Sequence, residues 1–202
     1  MDMDAFGILK RNRISVAPYA IVKTKDELLK AAERIRYPNV LKVWDKSIVH
    51  KTDVGGVVMD NLSREMMETG FEHLKSKFGD VDILLQKQVK RGIELYIGAK
   101  NDPTFGYMVL FGIGGIYVEV FKDVSARICP ISESDVNDMI NELKAKKIIL
   151  GFRGKHVNMK ELSSLIIKVS RMAEKEKIRE LDLNPVKADE EGCYVIDARI
   201  VR

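Results

Sequence analysis

Capped helix starts set between short β-branched runs constrain this chain more than any other feature. Thr24-Lys25-Asp26-Glu27 is a capping-box pattern, and Leu28, Leu29, Ala32 and Ile35 follow it at helical spacing. Ser63-Arg64-Glu65-Met66 opens a second helix that runs to about Phe78. Around them, Val16 to Val22 (broken by Pro18), Val40 to Trp44, Val57 to Met59 and Ile83 to Val89 read as strands. Tyr37-Pro38 ends the first of these helices, because a residue before proline is pushed out of the helical region. Residues 4–12 read as a short helix with Phe6, Ile8 and Leu9 apolar. Further on, Glu94 to Lys100, Met108 to Phe111 and Ile116 to Phe121 read as strands, with a turn at Asn101-Asp102-Pro103. Ser132 to Leu143 and Met159 to Lys175 read as helices. Leu181 to Leu183, closed by Asn184-Pro185, and Tyr194 to Ile200 read as the last strands. This mixed order predicts an α+β chain of two lobes, 16–90 and 91–202, without a low-complexity linker or an internal repeat.

Composition narrows the partners. The 34 basic and 30 acidic residues leave a net charge of +4, which favours anions such as nucleotides or CoA but supplies no basic tail. No basic stripe is interleaved with aromatics, so nucleic-acid binding is not expected. Cys129 and Cys193 stand apart with no CxxC or Cys/His pattern, which argues against a zinc site or a disulfide framework. No apolar stretch approaches the ~18 residues of a membrane span, and Met1-Asp2-Met3-Asp4 is acidic where a secretory signal is basic. The expectation is a cytoplasmic protein.

The chemistry-bearing residues fall into five places. Ile48 to Val57 contains His50, Lys51, Asp53, Gly55 and Gly56, the makeup of a loop that sets a nucleophilic imidazole beside a phosphate. Lys42 interrupts an apolar strand and reads either as an amine reaching phosphates or as a solvent-facing lysine. Phe111 to Val120, with glycines at 112, 114 and 115, permits a bend next to a ligand but is no Rossmann fingerprint. Leu181-Asp182-Leu183-Asn184-Pro185 and Val195-Ile196-Asp197 offer an amide oxygen and a carboxylate. These read either as hard ligands for Mg²⁺ or as an ordinary turn and strand end. Leu84 to Val89 is an apolar strand running into a polar segment, with backbone groups suited to a base edge or to a plain linker.

In this order along the chain, these stretches resemble the beta subunit of the ADP-forming acetyl-CoA synthetases, within the NDP-forming acyl-CoA synthetase family. The resemblance runs from about residue 5 to residue 202. It is most specific in Val40 to Val43, Ile48 to Val57, Asp102 to Gly106, Phe111 to Pro130, Leu181 to Val186 and Ile196 to Val201. It implies an ATP-grasp fold over 1–202, α+β, with two lobes of mixed sheets clasping a nucleotide and helix 4–12 packing on the large lobe. It implies a reversible reaction in which acyl-CoA, phosphate and ADP give free acid, CoA and ATP, with a CoA-binding alpha subunit as partner. His50 matches the histidine that shuttles the phosphoryl group, and Lys42 the lysine on the nucleotide phosphates. Gly55 and Gly56 belong to the glycine loop. Gln86, Lys87, Gln88 and Val89 match the adenine hinge, although Lys87 stands where the family usually has an acidic residue. Asn184 and Asp197 match the Mg²⁺ positions. Glu94 and Glu119 match carboxylates of the nucleotide site or supports of the phosphohistidine, and Arg127 a phosphate contact. His73 and His156 read as surface residues. The competing expectation is a noncatalytic ATP/ADP-sensing ATP-grasp module, which has no need of His50.

Overall fold

The computed structural model describes residues 5–45, 47–48, 51–115, 123–151 and 156–202. The chain forms two compact units: Ala17–Lys90, and the segment through Val16 together with Arg91–Arg202. Helix α1 (Ala5–Arg11) belongs to the latter, larger unit.

In the smaller unit, strands β1 (Tyr19–Val22), β2 (Asn39–Trp44), β3 (Val57–Asn61) and β4 (Asp82–Lys87) form one sheet in the order β1-β4-β2-β3. Helices α2 (Lys25–Ile35) and α3 (Arg64–Phe78) start where the sequence places their caps. Thr24 accepts a hydrogen bond from the Glu27 N–H at 3.2 Å, and Glu27 reaches back to the Lys23 N–H at 2.7 Å. Ser63 accepts from the Met66 N–H at 3.2 Å. Each such cap contributes about 1 kcal/mol by satisfying a donor that the helix itself leaves open. Alternation along the strands then decides which side of the sheet the helices cover. Leu41 and Val43 of β2, Ile83 and Leu85 of β4 and Val22 of β1 join Leu28, Ala31 and Ile35 of α2 and Met67, Phe71 and Leu74 of α3 in one core. Each fully buried aliphatic side chain here contributes about 1.5–3 kcal/mol. Gly70 is what lets α3 come so close. A Cβ on Gly70 would stand 2.9 Å from Val58 Cγ1 and 3.2 Å from Leu41 Cδ1.

The larger unit contains β5 (Ile93–Asp102), β6 (Gly106–Ile113), β7 (Val124–Ile128), β8 (Glu180–Ala188), β9 (Cys193–Val195) and β10 (Arg199–Val201). They form a six-stranded sheet in the order β10-β8-β5-β6-β7, with β9 on β8. One face is apolar: Leu95, Ile97 and Ala99 of β5 lie level with Phe111 and Val109 of β6 and with Val186, Leu183 and Leu181 of β8. Helix α6 (Met159–Lys175) packs on β5 and β6 through a buried stripe that includes Leu162, Ile166, Val169 and Ala173, while α4 (Glu133–Glu142) packs on β7. Asn12, just past α1, donates to Glu176 at 2.9 Å and accepts from Lys175 at 3.2 Å, which fastens α1 to the end of α6.

Several expectations need adjusting. The pairings between these named strands are antiparallel, and the parallel element is an isolated bridge between Val16 and Val195. Asn184-Pro185 does not close a strand. β8 runs through it, with a register shift opposite Leu95 to Ile97 that absorbs the proline's missing N–H as a bulge. The last apolar run is split, because β9 ends at Val195 and β10 begins at Arg199. Strand β7 and the short helix α5 (Lys146–Leu150) were not legible as elements. The expected strand at 116–121 lies outside the described residues. Gly70→Val should lower stability by about 1–3 kcal/mol by pushing α3 off the sheet. Urea unfolding measures this, and an unchanged midpoint would refute the packing account.

Candidate functional site

Pairing across the small sheet fixes what shares the face opposite the helices. Lys42 lies level with Leu84 and Val57, and Gln86 with Val40 and Tyr19. Lys42 is only 8% exposed, which excludes the solvent-facing reading of this lysine. Gln86 is 1% exposed, and its Nε2 has no hydrogen-bond partner within the described structure. A buried amide donor without an acceptor costs about 1–3 kcal/mol, so this face is built to receive something polar.

The segment after Gln86 is held by proline carbonyls. The Lys87 N–H donates to Pro18 O at 2.8 Å and the Gln88 N–H to Pro38 O at 3.1 Å. The Lys87 ammonium donates to Tyr37 O at 2.7 Å, so the charge that departs from the family pattern is engaged inside the unit. The Gln88 side chain exchanges two hydrogen bonds with Asp60, each 3.1 Å, and Val89 is half-buried beyond it. In the glycine loop, the Gly56 N–H donates to Lys51 O at 2.6 Å and the Gly55 N–H to Thr52 O at 3.0 Å, while the Val43 N–H donates to Gly56 O at 2.9 Å. The sequence assigns these glycine N–H groups to phosphate; in this conformation they close the loop on itself instead. His50 lies outside the described residues.

In the larger unit the bulge of β8 and the start of β5 collect a second group. The Gly115 N–H donates to Asn184 Oδ1 at 3.0 Å, and a Cβ on Gly115, whose φ is +67°, would collide with the Glu94 carboxylate. Glu94 in turn pairs with Lys187 across β5 and β8 at 3.0 Å. One glycine thus brings Glu94 and Asn184 together, and a side chain there would separate them. The Ile196 N–H donates to Pro185 O at 3.1 Å, which sets the stretch ending in Asp197 beside the bulge that carries Asn184. Asp197 Oδ1 also accepts the Ala198 N–H at 3.0 Å.

Asp182, two residues before Asn184, was not singled out from the sequence. Desolvation over the packed sheet, and then the charge of Asp197, raise its carboxyl above the usual range, with Arg199 opposing. Tyr96 is pushed up by burial and then by Asp182, and its ring lies along β5 because Gly98 carries no Cβ. Two neighbouring carboxylates beside an amide oxygen are a donor set that suits a hard divalent cation. Among the described residues no group of three or more His, Cys, Asp or Glu is placed to hold a metal ion, and Mg²⁺ asks for fewer protein ligands than that.

Arg127 is used differently. Its guanidinium grips Glu142 of α4 with both terminal nitrogens, and also touches Ser125 Oγ at 3.2 Å. Hydrogen bonds first from Arg127 and then from Ser125 hold the Glu142 carboxyl down at about 2. Asp123 accepts the N–H groups of Lys144 and Ala145, each at 2.9 Å, so both ends of this strand are tied to the α4–α5 turn. Glu119 lies outside the described residues. His73 on α3 and His156 are exposed.

These features define an α+β chain of two antiparallel-sheet units, and the chain belongs to the ATP-grasp domain family, whose model matches residues 1–201. It is 42% identical over 206 residues to the ADP-forming acetate–CoA ligase I of Archaeoglobus fulgidus, covering 98% of this chain and 30% of that one. It is 37% identical over 210 residues to the beta subunit of ADP-forming acetate–CoA ligase I of Pyrococcus furiosus, covering 100% of this chain and 90% of that one. Among solved structures, acetyl-coenzyme A synthetase 1 of Candidatus Korarchaeum cryptofilum, in complex with coenzyme A and Ca-AMPCP, superposes with a TM-score of 0.91 at 38% identity, over 98% of this chain and 90% of that one. The same enzyme with coenzyme A and Mg-AMPPCP, its phosphohistidine segment pointing towards the nucleotide binding site, gives 0.88 at 37%, over 100% and 91%. The chain therefore spans about a third of the longer ligases and most of a beta subunit.

The Glu142 pair carries a pH signature. A carboxyl depressed in the folded state contributes stability that is complete above its unfolded value of about 4.3, and that is lost as pH falls towards about 2. The stability difference between wild type and Glu142→Gln should be constant above about pH 5 and shrink between about pH 4.3 and 2. Urea midpoints measured across that range test it, and a gap that does not change with pH would contradict the pairing.

Proposed function

We propose that this chain is the nucleotide-binding component of an ADP-forming acyl-CoA synthetase acting on acetyl-CoA or a close analogue. It takes a phosphoryl group from a phosphohistidine on a CoA-binding alpha subunit, carries it on His50, and delivers it to ADP. The observation that carries this reading is the Glu94–Gly115–Asn184 arrangement beside Asp197, in a chain whose residues 1–201 match the ATP-grasp domain family. The buried Lys42 and Gln86 of the smaller unit support it.

In the ATP-forming direction, a lone pair of the neutral His50 imidazole attacks the phosphorus of the partner's phosphohistidine. One P–N bond forms as the other breaks, and the partner imidazole leaves with its electron pair. A β-phosphate oxygen of ADP then attacks, and His50 departs in the same way. Two short in-line transfers replace one long one. Lys42 neutralises charge on the nucleotide phosphates. The base edge is read by Gln86, by carbonyls of the Lys87–Gln88 segment and by Val89, since the Lys87 and Gln88 N–H groups are already engaged. Asn184 and Asp197 would hold Mg²⁺, which supplies charge neutralisation on the phosphates. Glu94 keeps the Gly115 turn against Asn184, Glu119 supports the phosphohistidine, and Arg127 acts through Glu142. Acyl selection lies with the alpha subunit. A nucleotide-sensing module would account for the nucleotide residues but gives His50 no task.

The test is labelling with γ-labelled ATP and Mg²⁺, with and without a CoA-binding alpha subunit. Acid-labile, alkali-stable label that disappears in His50→Ala is expected. Label that survives in His50→Ala would put the carrier elsewhere, and no label with the partner present would favour the sensing module.

A further inference from the structure

The flank of α3 beside β3 takes no part in phosphoryl transfer. β3 is the outermost strand of the small sheet, and no described strand lies beyond it next to α3. A groove of about 590 Å³ opens there, lined by Met59 and Asn61 of β3 and by Glu65, Met66, Thr69 and His73 of α3. Met59 (58%), Met66 (46%) and Leu62 (57%), in the turn that joins the two elements, are exposed around it. Exposed apolar side chains gathered at one place mark an interaction surface. The polar groups of the groove are left open. Glu65 forms no ion pair among the described residues, whereas Glu68 and Glu72 of the same helix share Lys25. Asn61 is 1% exposed, and its Nδ2 donates to Asn39 O and Val58 O, each at 3.3 Å. Its Oδ1 takes no donor among the described residues and lies 3.4 Å from where a Cβ on Gly70 would stand, in the middle of the groove. A buried acceptor left open is costly, so the groove is suited to an occupant that brings donors.

We propose that this groove is one half of a two-fold interface, and that its occupant is a second copy of this chain, with the two α3 helices antiparallel. The proposal does not rest on the phosphoryl chemistry above. Glu65, Thr69 and His73 are spaced four residues apart, which puts them on one stripe of α3 with about 12 Å between its ends. A two-fold axis at Thr69 lays Glu65 of one copy against His73 of the other, and the same pair forms again at the far end. Each open carboxylate then meets a ring N–H. Thr69 of the second copy brings a hydroxyl donor to the middle of the groove, where Asn61 Oδ1 is open. Met59, Leu62 and Met66 of both copies close around these contacts and leave water. The groove thus complements itself, which is what an interface between identical copies requires. Asp60, at a φ of +56° and held by Gln88 and Lys90, breaks the regular outer edge of β3. Packing of side chains, and not a continued strand ladder, therefore carries the contact, and assembly closes at two copies.

Sedimentation equilibrium of the full chain should show the mass rising from one chain to two as the concentration increases. His73→Glu sets two carboxylates against each other at both ends and should raise the dimer Kd at least about tenfold. Exchanging the pair, Glu65→Lys with His73→Glu, should restore the Kd to within about threefold of wild type. These residues are exposed on a helix in one copy, so the substitutions leave its core untouched. Thr69→Cys, on the axis, should form a disulfide-linked dimer on oxidation, while Lys30→Cys, exposed on α2, should not. A single-chain mass at every concentration up to about 100 µM, or a dimer that His73→Glu leaves unchanged, would overturn the interface, whatever other protein the groove then held. Weakening by His73→Glu without recovery in the exchanged pair would overturn the antiparallel arrangement.

Discussion

Burying an ammonium in the middle of a strand costs about several kcal/mol unless nearby groups compensate it, and the smaller unit is arranged around Lys42. Alternation on β2 sends Leu41 and Val43 into the helix-covered core and leaves Lys42 on the other face, level with Leu84 and diagonal to Gln86. The helices cannot take that face, because α2 and α3 already spend their apolar stripes on the first one. What remains is a buried face on which one ammonium and one amide stand among Val40, Trp44 and Leu84, and a few polar groups in a mostly apolar setting are the makeup of a small-ligand site.

The larger unit meets a related constraint by different means. Its site rests on one hydrogen bond, from the Gly115 N–H to Asn184, and on the bulge that aims Asn184 away from the regular ladder. A regular β8 would have turned either Asn184 or its neighbours into the apolar face packed by α6. The bulge resolves this by inserting a residue where the proline could not have donated anyway. Asp197 reaches the same place because β9 ends at Val195 and β10 begins at Arg199, so residues 196–198 follow neither strand and the Ile196 N–H is tied to Pro185 O.

Local chemistry was legible in the sequence wherever it was self-contained. The caps at Thr24, Ser63 and Ser132, the long helix from Met159 to Lys175 and the alternation of β2 and β5 follow from spacing alone. Features that depend on a distant partner were not. Nothing around Arg127 announces that Glu142 on another element will hold it. The run from Leu181 to Val186 looked interrupted because proline usually ends a strand, and only pairing to both β5 and β9 carries it through. Asp182 could have been suspected from its place two residues before Asn184, since alternate residues share a face, but the intervening bulge makes that inference unsafe without the register.

The most direct test of the account is the affinity for Mg-ADP, measured by calorimetry on the wild type and on Lys42→Met, which keeps the shape of the side chain and removes its charge. The wild type should bind, and Lys42→Met should bind at least about tenfold more weakly while still unfolding cooperatively at an undiminished Tm. Equal affinity in the two proteins would contradict it, because the buried lysine would then have no part in holding the nucleotide.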